Sequence, residues 1–175
     1  GPSRFIPVIR KVWGFRGAMA RHTSLSRAEI DGLIVHELFT VDGGAAAAAR
    51  LLDRGVTAIA AASDLMALGA VQAVRARGLR VPQDVSVIGY DDSPLIAFTD
   101  PPLTTIRQNV TAMSETAVTA LVEVIGGSTS RAKEFTFRPE LVVRGSTAPC
   151  VVQARERHTP AARRLRAAPG RDERP

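Results

Sequence analysis

The chain holds one cysteine, Cys150, in 175 residues. That scarcity excludes an internal disulfide framework and any multi-cysteine metal site. Its three histidines, His22, His36 and His158, are scattered and lack the paired spacing of a zinc site. No apolar run approaches the roughly 18–20 residues that cross a bilayer. No basic-then-apolar export signal opens the chain, so cytoplasmic residence is the expectation. The nucleophile elbow, the phosphate-binding P-loop and the dinucleotide glycine fingerprint are all missing. Nothing marks an enzyme or a bound cofactor. Two acids do stand side by side, Asp91 and Asp92. A hydrolytic pair must face across a substrate, about 5–10 Å apart, and sequence neighbours diverge instead.

What is present is ordinary for a globular domain: 45% hydrophobic and 23% charged residues. The net charge of +6 is concentrated at one end. Residues 155–175 carry seven arginines against three acids, a net of +4. This Ala-, Pro- and Arg-rich stretch reads as a disordered basic tail over 150–175. Without aromatic interleaving it offers at most unspecific attraction to phosphates.

Residues 1–149 carry the periodic patterning. Val12, Phe15 and Met19 give Arg10 to Arg21 one apolar helical face. Leu33 to Val35 lead into "HELFT", a short strand candidate. Asp42-Gly43-Gly44 opens an alanine-rich helix, Ala45 to Leu52, which Gly55 closes. The run "VTAIAA", Val56 to Ala61, predicts a strand buried on both faces. Ser63-Asp64 then caps a helix from Leu65 to Arg77, ended by Gly78. Val85 to Ile88 is another buried strand, and Gly89 lets the backbone turn out of the sheet. The prolines of "PPLTTIRQN" impose an extended segment. Val118, Leu121, Val122 and Ile125 stripe a helix from Val110 to Ile125. "GGSTSRAK" is a loop, and Phe135 to Phe137 and Glu140 to Val143 read as a closing strand pair. Strands alternating with helices predict an α/β fold with a parallel sheet.

Ligands of such sheets bind beyond the carboxyl ends of the strands. Phe39-Thr40, Ser63-Asp64 and Tyr90-Asp91-Asp92 follow three of these ends. An aromatic face with hydroxyl and carboxylate groups suits a sugar or a nucleoside. Each residue also has a plainer reading: Phe39 as core, Asp64 as helix cap, Asp92 as turn former before Ser93-Pro94.

Three segments go further: "AIAAASDLMALGAVQAVRARGLRVPQDVSVIGYDD", "PPLTTIRQNVTAMSETAVTALVEVIGG" and "RPELVVRGSTAP". In order, spacing and residue type they resemble the C-terminal half of LacI/GalR-family transcription regulators. The opening "GPSRFIPVIRKVWGFRGAM" and "LFTVDGG" extend the likeness. It implies an incomplete periplasmic-binding-protein-like (type I) domain over 1–149, sensing a small effector. It also implies a homodimeric regulator whose helix-turn-helix head, roughly 60 residues, and first half-domain are not within this chain. Operator DNA would be reached only through that head. An exposed sheet edge and an uncovered apolar face are then expected.

By the same resemblance, effector contacts fall on Lys11, Phe39, Ser63, Asp91 and Gln108. Lys11 stands where relatives have arginine, and so lacks the bidentate fork of a guanidinium. Ser63 stands where asparagine is common. Phe39 would stack on the effector, Asp91 would accept from its hydroxyls, and Gln108 lies in the crossover between subdomains. A periplasmic sugar-binding protein of a transporter, sharing the fold, is the alternative reading; a remnant without function is another.

Overall fold

The computed structural model describes residues 1–127 and 134–150. The basic tail expected over 150–175, apart from Cys150, and part of the "GGSTSRAK" loop lie outside the described residues.

Helix α1 (Ile6–His22) starts on Pro7, whose missing N–H costs nothing at a helix N-terminus, and ends on the basic pair Arg21-His22. The short α2 (Arg27–Gly32) is entered through a capping box: the Ser26 hydroxyl accepts from the Glu29 N–H, and the Glu29 carboxylate accepts from the Ser26 N–H. Residues 33–40 then run without regular structure. The strand expected from "LIVHELFT" does not form, because no described strand lies beside it to complete a ladder.

Helix α3 (Val41–Leu52) begins about one turn earlier than its alanines suggest. Thr40 is the N-cap, its Oγ1 accepting from the Gly43 N–H at 3.0 Å. Gly43, Gly44, Ala47 and Ala48 share the buried face, which lets α3 pack backbone-close on α4 (Asp64–Ala76). A Cβ on Gly44 would lie 2.2 Å from the Met66 carbonyl oxygen, and one on Gly69 would lie 1.9 Å from that of Val41. Glycine is required at both crossings for want of room.

The sheet has the order β1-β2-β3-β4. Strands β1 (Ala58–Ala60), β2 (Ser86–Asp91) and β3 (Thr104–Arg107) are parallel, and β4 (Glu140–Val142) pairs antiparallel to β3. Phe135 to Phe137 form no strand. The expectation of a doubly buried first strand also fails. Only Ile59 is buried, while Ala58 and Ala60 are exposed at the sheet edge.

The core gathers Ile59, Ala67, Ala70, Val74, Val85, Val87, Ile96 and Leu103 where α4 lies on β2. Returning chain after β4 is stitched in by Ser146, which is fully buried. Its hydroxyl donates to the Val87 carbonyl at 2.6 Å and accepts from the Thr104 N–H at 2.8 Å.

Helix α5 (Val110–Ile125) has the predicted bounds and is capped by Asn109, whose Oδ1 accepts from the Ala112 N–H. Its apolar stripe is nonetheless open. Val118, Leu121, Val122 and Ile125 all remain exposed, because no described element packs over them.

Candidate functional site

Strands β2 and β3 deliver their carboxyl ends side by side, with Tyr90 opposite Ile106 and Asp91 opposite Arg107. A cleft of about 730 Å³ opens there between α1, the 33–40 segment, the start of α4 and the 3₁₀ turn Pro94–Phe98. All five residues singled out from the sequence line it: Lys11, Phe39, Ser63, Asp91 and Gln108. They come from five separate segments, so folding alone brings them together.

Each is positioned by its neighbours. Lys11 reaches from α1; its Nζ donates to the Ala62 carbonyl at 2.8 Å and sits 3.4 Å from the Tyr90 ring centroid. Burial lowers the pKa of this ammonium, and the Asp91 carboxylate works against that. Lys11 is thus a tethered cation rather than a freely swinging one. Phe39 stands half-buried, with Gly1 packed so closely that a Cβ there would meet its ring at 2.2 Å. Ser63 is the N-cap of α4; its Oγ accepts from the Met66 N–H at 3.3 Å. The cap uses one lone pair, and the O–H is left able to donate to a ligand.

Asp91 ends β2 at φ 115°, outside the left-handed helical well that a non-glycine residue occasionally visits. Burial raises its pKa; Lys11 opposes the rise, Asp64 adds to it and the Gln108 hydrogen bond opposes it. Gln108 Nε2 donates to Asp91 Oδ1 at 3.0 Å. The wall between Phe39 and Asp91 is apolar, with Leu65, Leu68 and Leu95. One acceptor, several donors and an apolar wall match a neutral, polyhydroxylated molecule.

Two residues have different roles from those expected. Ser63, not Asp64, caps α4. Asp64 is buried, with Oδ1 accepting from Thr105 Oγ1 at 2.7 Å and Oδ2 from the Ser93 N–H and hydroxyl at 2.7 and 3.0 Å. This carboxylate ties α4 to β3 and to the turn after β2. Gly89, within β2 rather than at its exit, makes room for it: a Cβ there would lie 2.4 Å from Asp64 Oδ1. The "SD" pair shows an acceptor before a helix but not which member turns inward.

Asp92, at φ 58°, does form the turn, and it does more. Its Oδ2 accepts from Arg107 Nε and its Oδ1 from Arg144 Nη2, both at 2.6 Å. Arg144 also donates to the Leu103 carbonyl, and Arg107 reaches Glu140. Sequence reasoning missed this hub because its arginines lie 15 and 52 residues away.

A family profile described as a periplasmic binding protein-like domain matches residues 14–147. The HTH-type transcriptional regulator MalR of Streptomyces coelicolor is 56% identical over 149 residues, covering 85% of this chain and 43% of the relative. The chain belongs to the LacI-type regulators, within their periplasmic-binding-protein-like domain. The transcriptional regulator CelR–cellobiose complex is 37% identical with a TM-score of 0.76, over 83% of this chain and 44% of that one. A LacI-type transcription regulator from Bifidobacterium animalis subsp. lactis is 35% identical with a TM-score of 0.70, over 79% and 49%. The chain therefore spans less than half the length of each of these LacI-type relatives.

Proposed function

We propose that this chain is the effector-sensing part of a LacI-type DNA-binding transcriptional regulator, and that its effector is a sugar. The observation that carries the reading is the cleft itself. Lys11, Phe39, Ser63, Asp91 and Gln108 converge at the strand ends and offer an aromatic face with hydrogen-bonding groups around it. A neighbour at 37% identity is a cellobiose complex, which supports the same ligand class. The role is binding and not catalysis. In the full-length cytoplasmic homodimer, a ligand that binds one conformation better than the other shifts the population between operator-bound and released states. Operator contact belongs to a separate N-terminal head, and this chain alone has no sequence-specific DNA affinity.

Isothermal titration against a sugar panel tests the proposal. One or more sugars should bind, and Asp91→Ala should weaken that binding at least about tenfold, or roughly 1.4 kcal/mol. An unchanged affinity in Asp91→Ala would refute the site. A sequence-selective gel shift by residues 1–175, insensitive to salt, would refute the division of labour.

A further inference from the structure

Beyond Tyr90 and Gln108 the cleft does not end. A second cavity of about 210 Å³ shares those two residues as its wall and extends toward α5. It is smaller than the roughly 300–1,000 Å³ of ordinary small-molecule sites, so it is no site alone; as a continuation of the main cleft it enlarges it. Its apolar surface comes from Phe137, Phe135 and Met113. Beyond the shared wall its polar groups are Arg10, Asn109, Glu134 and Thr136. Asn109 spends its side-chain oxygen on capping α5, and the amide N–H groups are left to donate. Arg10 and Glu134 carry opposite charges, so the surroundings suit a neutral guest.

We infer that this annex is a second subsite, seating a second sugar ring linked to the one beside Phe39 and Asp91, so that the effector class is a disaccharide or longer. The inference rests on the sugar reading above. An apolar ring face would lie on Phe137, with hydroxyls toward Arg10 and Asn109. Gln108 stands at the junction of the two cavities, between the two rings. Lys11 covers one face of Tyr90 at 3.4 Å; Phe137, half-buried in the annex wall, supplies a separate aromatic surface for the second ring.

The test is isothermal titration of the full 175-residue chain with glucose, cellobiose and maltose, for the parent sequence and for Phe137→Ala and Arg10→Ala. Both substitutions fall on half-buried or exposed side chains outside the core. The parent should bind at least one of the two disaccharides about tenfold or more tighter than glucose, within the range that pocket contacts of this kind supply. Each variant should bring that ratio toward one chiefly by weakening the disaccharide. Glucose binding as tight as both disaccharides, or a ratio untouched by both variants, overturns the second subsite and leaves the sugar reading standing. No binding of any of the three overturns both.

Discussion

Asp92→Asn should destabilise the fold by about 2 kcal/mol. The Asp92 side chain is 8% exposed and holds two guanidiniums, of which Arg144 is 18% and Arg107 46% exposed. Removing one member of a buried ion pair costs about 3–5 kcal/mol, because the other charge is left uncompensated. Only the Arg144 arm approaches that limit. The Arg107 arm is screened by solvent and adds little, and the asparagine oxygen still accepts one hydrogen bond. At roughly 2–4 °C per kcal/mol for a chain of this size, the melting temperature should fall by about 4–8 °C.

Asparagine is the right probe because it tolerates the left-handed φ of 58°. Asp92→Ala removes the same charge and adds about 1 kcal/mol of backbone strain. Urea unfolding with an unchanged m-value reads both. The pH dependence supplies an internal check. Burial pushes the Asp92 pKa up, but the hydrogen bonds from Arg144 and Arg107 outweigh it and hold the carboxyl below its ordinary value. Its stabilisation is therefore present above the unfolded pKa of about 3.9 and lost as pH falls through the folded one. The gap between the parent and Asp92→Asn should close in acid. A variant melting within about 1 °C of the parent at neutral pH, or a gap that widens in acid, would sink the argument.

Four further outcomes are expected. Asp91→Gly should be about 1–2 kcal/mol more stable than Asp91→Ala, since only glycine relaxes a φ of 115°; both should lose sugar affinity alike, and equal thermal midpoints would deny the strain. Gly69→Ala should cost about 3 kcal/mol despite its better helix propensity, because the methyl has no room against Val41. Gly14→Ala in α1, where nothing among the described residues lies within 4 Å, should gain up to about 1 kcal/mol; denaturant midpoints moving the same way in both would refute the packing account. Sugar affinity should fall as pH drops through the raised pKa of Asp91, and Asp91→Asn should remove that slope; a slope surviving in the variant would place the titration elsewhere.

The elements with strong local signals were legible from the sequence. Helix α5 keeps its predicted bounds because its stripe and its Asn109 cap agree. Helix α4 lies within one residue of its predicted bounds at each end because Ser63 and Gly78 bracket it. The failures have a common physical origin. A strand is defined by what lies beside it: among the described residues, 33–39 have strand composition and no partner, and β1 has one neighbour and an open flank. The same limit explains the site. Lys11, Phe39, Ser63, Asp91 and Gln108, singled out through the motifs that carry them, all line one cleft. The Asp64 and Asp92 hubs were not legible from the sequence, because their partners at Thr105, Arg107 and Arg144 are joined to them only by the fold.

The neighbours Asp91 and Asp92 stand in opposite surroundings, one in the cleft and one in an arginine clasp. The positive φ of both residues, 115° at Asp91 and 58° at Asp92, turns the chain out of β2 and sends one carboxylate to the cleft and the other to Arg107 and Arg144. Burial dominates the first and raises its pKa, whereas paired guanidiniums prevail on the second and lower it. The stability linkages then have opposite signs. The contribution of Asp91 is full below the unfolded pKa and is lost as pH rises through its folded value; that of Asp92 is lost as pH falls. As pH falls, the Asp91 carboxylate protonates before that of Asp92. Affinity can therefore respond to pH across a range in which the sheet end that presents the site does not move.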